Sequence, residues 1–189
     1  YPDDGATTEE LLQQADTALA RAKQSERGRF LFFQQDMAEQ IRDQVKLETA
    51  LRLGLERREF ELYYQPKFDA ASGAITGAEA LLRWRRNGSL VAPDKFIPLA
   101  ERTGLITPIG DWVIDEVCRQ LREWGDAGLA PINIAINLSI QQFRGGQLLQ
   151  RIRTAMQEHA IEPAQLSFEI TESIFMERPE EIIEVLAAL

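Results

Sequence analysis

The chain has 189 residues, 30 acidic against 21 basic, a formal charge of −9, and 44% apolar residues. That length suits one domain or one and a fraction, and that apolar share excludes a disordered chain. The acidic balance argues against a broad surface for a nucleic-acid polymer. Cys118, the single cysteine, excludes an internal disulfide or a thiolate cluster and suits a reducing, cytoplasmic setting, and no apolar run approaches the roughly 20 residues of a membrane span.

"YPDDG" (1–5) is a turn signal. Residues 7–28 read as a helix capped by Thr7 or Thr8, acidic in its first turn and stopped by Gly28, with Leu11, Leu12, Ala15, Ala18, Leu19 and Ala22 as an apolar stripe. "RFLFF" (29–33) predicts a short strand. These first residues have a face to bury and little to bury it against, as expected of the end of a domain that begins upstream. Residues 34–59 are too apolar for a free linker and too polar for a core helix, which suits a connecting helix.

From residue 60 the pattern changes. Residues 60–68 and 75–84 predict strands joined by the turn "DAASG" (69–73), a link too short for a parallel crossover, so they pair antiparallel. A short helix at 93–104 and a longer one at 108–128 follow, the latter with Trp112, Val113, Val117, Leu121 and Trp124 along one side. Then come a strand at 131–139, a helix at 145–161, a strand at 166–173 and an amphipathic helix at 179–189. Strand and helix alternate, which predicts a parallel sheet with helices packed outside, too few units to close a barrel. Trp84, Trp112 and Trp124 read as core, and His159 as a solvated side chain. Neither end carries a start or stop signal, so a piece of a longer protein is expected.

Side chains alternate along a strand. Glu79 therefore shares a face with Ile75, Gly77, Leu81 and Arg83; Asn137 with Asn133 and Ala135; Glu169 with Ser167 and Thr171. Three parallel strands thus aim oxygen ligands at one side, two of them near their C-terminal ends. Two carboxylates and an amide oxygen suit Mg2+ or Mn2+ rather than zinc. A shared divalent ion also explains why an apolar strand carries Glu79, since an unpaired buried charge is costly. Arg83 on the same face offers a fork for phosphate. Taken singly, Glu79 and Arg83 also fit an ion pair, Asn137 a backbone-bonding strand end, and Glu169 or Glu172 a cap or surface group.

At "AEALLRW" (78–84) the chain resembles the EAL family of cyclic di-GMP phosphodiesterases. "LYYQPKF" (62–68), "PDKFIPLAERTG" (93–104), "INLS" (136–139) and "FEITES" (168–173) stand around it in the family's order and spacing, and the likeness covers residues from about 45 to 189. Residues 1–33 resemble the C-terminal end of a GGDEF (diguanylate cyclase) domain, giving three segments: 1–33, a connecting helix 34–59, and 60–189 as the first part of an EAL domain. The resemblance implies an α/β fold, the N-terminal part of a modified TIM (β/α)8 barrel with one antiparallel strand. It implies a two-metal site, Mg2+ or Mn2+, that hydrolyses cyclic di-GMP to linear pGpG; the parent protein is expected to be cytoplasmic, or anchored to a membrane through an upstream region, and to form a homodimer through its EAL domain. Carried over by motif, Glu79, Asn137 and Glu169 are metal ligands, Glu79 also catalytic. Glu172 steadies an active-site loop, and Gln65, Leu81 and Arg83 contact the dinucleotide. The family's Asp-Asp block and its later Lys, Glu and Gln have no counterpart within these 189 residues, so the isolated chain is expected to be inactive. Two alternatives are an inactive EAL domain that senses cyclic di-GMP or mediates dimerisation, and a bifunctional protein dominated by its cyclase.

Overall fold

A computed structural model describes residues 7–24, 30–34, 37–143 and 146–170. The turn expected at 1–5, the first helix beyond Gln24, Glu172 and the helix expected at 179–189 lie outside the described residues. The chain divides into two units, Tyr1–Ala50 and Leu51–Leu189.

In the first unit, α1 (Thr8–Gln24) begins with a reciprocal cap. The Glu10 amide donates to the Thr7 hydroxyl at 3.2 Å, and the Thr7 amide donates to the Glu10 carboxylate at 3.2 Å. The strand expected at 29–33 is not found: residues 30–34 carry no regular structure. An extended segment needs a neighbour for its N–H and C=O groups, and the described residues of this unit form only helices, α1 and most of α2 (Met37–Gly54). Phe30 and Phe32 meet edge to face instead, ring centroids 5.5 Å apart.

The second unit is built on one mixed sheet. β1 (Phe60–Phe68) and β2 (Ile75–Arg86) form the expected antiparallel hairpin, with Phe60 opposite Trp84 and Gln65 opposite Glu79. Its turn is held by Asp69, whose carboxylate accepts from the Ser72 amide at 2.7 Å and hydroxyl at 2.6 Å. Those two bonds hold the Asp69 carboxyl below the usual carboxylate range. β4 (Asn133–Asn137) lies parallel to β2, and β5 (Leu166–Glu169) parallel to β4. The order is β1-β2-β4-β5, and the short β3 (Ser89–Val91), which no periodicity announces in three residues, folds back on the end of β2. β2 and β4 approach closely at Gly77, where a Cβ would stand 2.8 Å from the Asn133 carbonyl oxygen. Gly77→Ala is expected to cost about 1–3 kcal/mol by urea unfolding, the usual range for overpacking. A loss below about 0.5 kcal/mol, the level of an ordinary surface change, would show that the strands part there without strain.

The helices α3 (Pro93–Thr103), α4 (Ile106–Asp126), the single turn α5 (Ile140–Phe143) and α6 (Leu148–His159) complete the unit. On α4, Ile109, Val113, Val117 and Leu121 recur every four residues and are buried, as are Ile134 and Ile136 of the sheet. That stripe takes the centre of the interface and leaves Trp112 and Trp124 half-buried at its flanks, not in the core as expected. Trp112 packs near Phe60 with centroids 6.1 Å apart, and Trp124 edge-on to Tyr64 at 5.0 Å. Trp84 is core as expected, 0% exposed. Cys118 is buried, and burial pushes its thiol up to about 11, so it stays protonated and inert near neutrality. Among the described residues no helix is long and apolar enough to cross a membrane.

Tyr64 sits under α4 with a phenol oxygen that has no partner among the described residues. Burial first, then the negative charge of Glu116, raises its pKa well above the ordinary 10.0. The unfolded chain therefore loses this proton first, and stability must fall as pH rises above about 10. Tyr64→Phe is expected to match the wild type near pH 8 and to lose less stability at pH 11, read as denaturation midpoints. Equal losses in the two proteins would show that the phenol is not the group responsible.

Candidate functional site

Strand parity puts the chemistry on the sheet face turned away from the helices. Phe60, Ala78, Ala80, Ile134 and Ile136 bury themselves against the helix layer. The alternate residues point the other way: Tyr63, Gln65 and Lys67 from β1, Glu79, Leu81 and Arg83 from β2, Asn137 from β4, Glu169 from β5. Gln65 stands directly opposite Glu79, and Asn137 directly beside Glu169. Glu79, Asn137 and Glu169 are therefore brought to one face, as expected. Between them Ala135, level with Glu79 and Ser167, contributes only a methyl group, which is buried beneath the neighbouring side chains.

The polar groups form pairs. The Asn137 side-chain amide donates to Glu79 Oε1 at 2.6 Å. Lys67 Nζ reaches across the sheet to Glu169 Oε1 at 2.5 Å. Arg83 and Glu79 do not form the ion pair weighed from sequence: Arg83 Nη1 donates to the Leu82 carbonyl at 2.9 Å, and its guanidinium lies over the Tyr63 ring at 5.4 Å. Nor does Asn137 spend its amide on the backbone. Lys67 was missed by sequence reading because its partner is 102 residues away; its parity with Gln65 was the available signal.

A cavity of about 510 Å3 lies between the C-terminal ends of β2 and β4 and the helices α3, α4 and α5, lined by Leu82, Ile97, Ile109 and Glu101 among others, with Leu81, Arg83 and Asn137 in its wall; Glu79, Gln65 and Glu169 do not line it. Its far wall is fixed by the Ser139 hydroxyl, which donates to Glu101 Oε1 at 2.8 Å, and by the Ser139 amide, which donates to Gln142 Oε1 at 2.9 Å. Three of the residues assigned from motif, Leu81, Arg83 and Asn137, thus border one cavity.

The donor set fits a hard divalent ion. Every ligand group on the face is an oxygen, and an asparagine amide turned over presents its carbonyl. Glu169 already receives a cation in the Lys67 ammonium. A second group, Asp115, Glu158 and His159, brings ligand atoms within 4.8 Å of one another on α4 and α6. There Asp115 is occupied by Arg151 and by His159, each at 3.4 Å, so His159 is a half-buried partner of a carboxylate rather than the solvated side chain expected.

The family model described as EAL domain matches residues 46–189. The chain is 45% identical over 190 residues to the bifunctional diguanylate cyclase/cyclic di-GMP phosphodiesterase MucR of Pseudomonas aeruginosa, covering 100% of this chain and 28% of that protein. It is 34% identical over 186 residues to the cyclic di-GMP phosphodiesterase PdeR of Escherichia coli, covering 98% of this chain and 28% of that one. The solved PaMucR phosphodiesterase in its c-di-GMP complex matches with TM-score 0.70 and 45% identity, over 76% of this chain and 60% of that chain. The chain therefore spans under a third of these curated relatives.

Proposed function

This chain belongs to the EAL domain family and has its mixed α/β, TIM-barrel-like fold, and from that premise we propose that the protein it comes from hydrolyses one phosphodiester of cyclic di-GMP to linear pGpG. The observation that carries the reading is the convergence of Glu79, Asn137 and Glu169 on one sheet face beside the cavity lined by Leu81 and Arg83. In this reading those three residues hold divalent metal, Mg2+ or Mn2+. When bound, such ions supply an acidified water and charge stabilisation for an in-line displacement at phosphorus.

The rest is done by the chain. Arg83 keeps donors free for a phosphate oxygen and offsets the repulsion between an acidic face and an anionic ligand. Leu81 gives the nucleotide an apolar contact, and Gln65, directly across from Glu79, a polar one. Lys67 offsets the charge of Glu169 on this acidic face, and Glu169 is the carboxylate that would be shared with a bound metal. Glu172 is assigned the steadying of a neighbouring loop. Residues 1–33 are read as the end of a GGDEF domain, 34–59 as a connecting helix and 60–189 as the first part of the EAL domain. The whole protein is read as cytoplasmic and as a homodimer through that domain.

The test is to incubate the purified full-length protein with cyclic di-GMP and Mg2+ or Mn2+ and separate the products by chromatography. Linear pGpG that disappears with a chelator supports the reading. Tight binding without turnover would assign the domain to sensing, and neither binding nor turnover would remove cyclic di-GMP as its ligand.

A further inference from the structure

Tyr63 has no role in the reading above. It lies on β1 directly opposite Leu81, between Glu61 and Gln65, and is 43% exposed on the face that carries the site. The Arg83 guanidinium carbon sits 5.4 Å from its ring centroid. The ring is itself held. Its hydroxyl accepts from Arg85 Nη2 at 3.2 Å, and Arg85 Nη2 is paired with Glu61 at 2.7 Å. Glu61 stands opposite Arg83 across the hairpin, so the four side chains close a chain from Glu61 through Arg85 and Tyr63 to Arg83.

We infer that Tyr63 is a positioning residue: its ring seats the Arg83 guanidinium on the face that carries the site, so that the arginine meets a phosphodiester already ordered. The inference rests on Arg83 as a phosphate contact. A cation–π contact takes no N–H donor from the guanidinium. Arg83 has five donors, of which Nη1 gives one to the Leu82 carbonyl, and a phosphate takes two. An arginine fixed by a ring and a carbonyl loses less rotamer freedom on gripping a ligand than a free one, which raises affinity without a new contact to the ligand.

The experiment measures cyclic di-GMP binding by calorimetry to full-length protein treated with a chelator, so that turnover does not intervene. Tyr63→Leu is expected to weaken binding about fivefold, the size of a part-exposed cation–π contact. Tyr63→Phe keeps the ring and stays within about twofold of the wild type. Arg83→Ala weakens binding by roughly thirtyfold. Tyr63→Leu combined with Arg83→Ala binds no more weakly than Arg83→Ala alone, because the ring acts through the arginine. Tyr63→Gln, suited to a half-exposed strand position, gives the same comparison if Tyr63→Leu melts early. Wild-type binding by Tyr63→Leu, or a further loss on top of Arg83→Ala, overturns the positioning role and leaves Arg83 as a phosphate contact. Unchanged binding by Arg83→Ala, or no binding by the wild type, removes the reading of Arg83 and the role of Tyr63 with it.

Discussion

Glu79→Ala in the full-length protein is expected to lower kcat for cyclic di-GMP hydrolysis by at least about a hundredfold, beyond the usual cost of disturbing a group behind a metal ligand. Glu79 is the proposed ligand in the middle of β2, with Asn137 bound to its Oε1 at 2.6 Å. Removing its carboxylate takes away a ligand oxygen and leaves the Asn137 amide without the acceptor that orients it. The fold should survive. Glu79 is half-buried rather than buried, and the neighbours that pack the helices, Ala78 and Ala80, point the other way, so the cost in unfolding free energy is about 1 kcal/mol, that of one hydrogen bond. Glu79→Gln separates charge from shape: the side-chain oxygen can still accept from Asn137, yet the site loses one of its two negative charges, on which the affinity for a divalent cation depends. Its activity should be as low as that of the alanine variant with stability close to wild type. A kcat within about threefold of wild type, less than one kcal/mol of transition-state stabilisation, would remove Glu79 from the catalytic machinery.

The largest expected effect on stability is at Trp84. The side chain is 0% exposed, stacks near Phe60 with centroids 6.0 Å apart, meets Phe96 edge to face at 5.6 Å and donates its indole N–H to Glu59 Oε2 at 2.9 Å. Trp84→Ala empties the junction of β1, β2 and α3, and is expected to cost about 3–5 kcal/mol. Against a total of about 5–15 kcal/mol for an ordinary domain, that is a large share. Trp84→Phe keeps most of the packing and should lose much less. Denaturant midpoints with unchanged slopes measure both. A loss below about 1 kcal/mol for Trp84→Ala would mean that the junction collapses onto the space, against the close packing described. Because Arg83 precedes Trp84 on the same strand, the alanine variant should also weaken ligand binding through misplacement alone, whereas Glu79→Gln isolates the chemistry.

The sheet was legible because its signals are local. The turn at 69–73 and period-two alternation placed β1 and β2, and parity alone put Glu79, Asn137 and Glu169 on one face. What the sequence concealed is long-range or very short. Lys67 and Glu169 are 102 residues apart, and nothing in either stretch names the other. The seat of Arg83 on Tyr63 depends on the register of the hairpin, which shifts side chains between faces with a slip of one residue. β3 and α5 hold three and four residues, below the length at which periodicity speaks. "RFLFF" has the composition of a strand, yet its described residues 30–33 form none, because a strand is made by its neighbour as much as by its own residues.

The most direct test of the proposed site is anomalous diffraction from crystals of the full-length protein grown or soaked with Mn2+. The expected result is a manganese peak ligated by Glu79, Asn137 and Glu169. A peak at Asp115, Glu158 and His159 instead, or none beside Glu79, would contradict the proposed metal site.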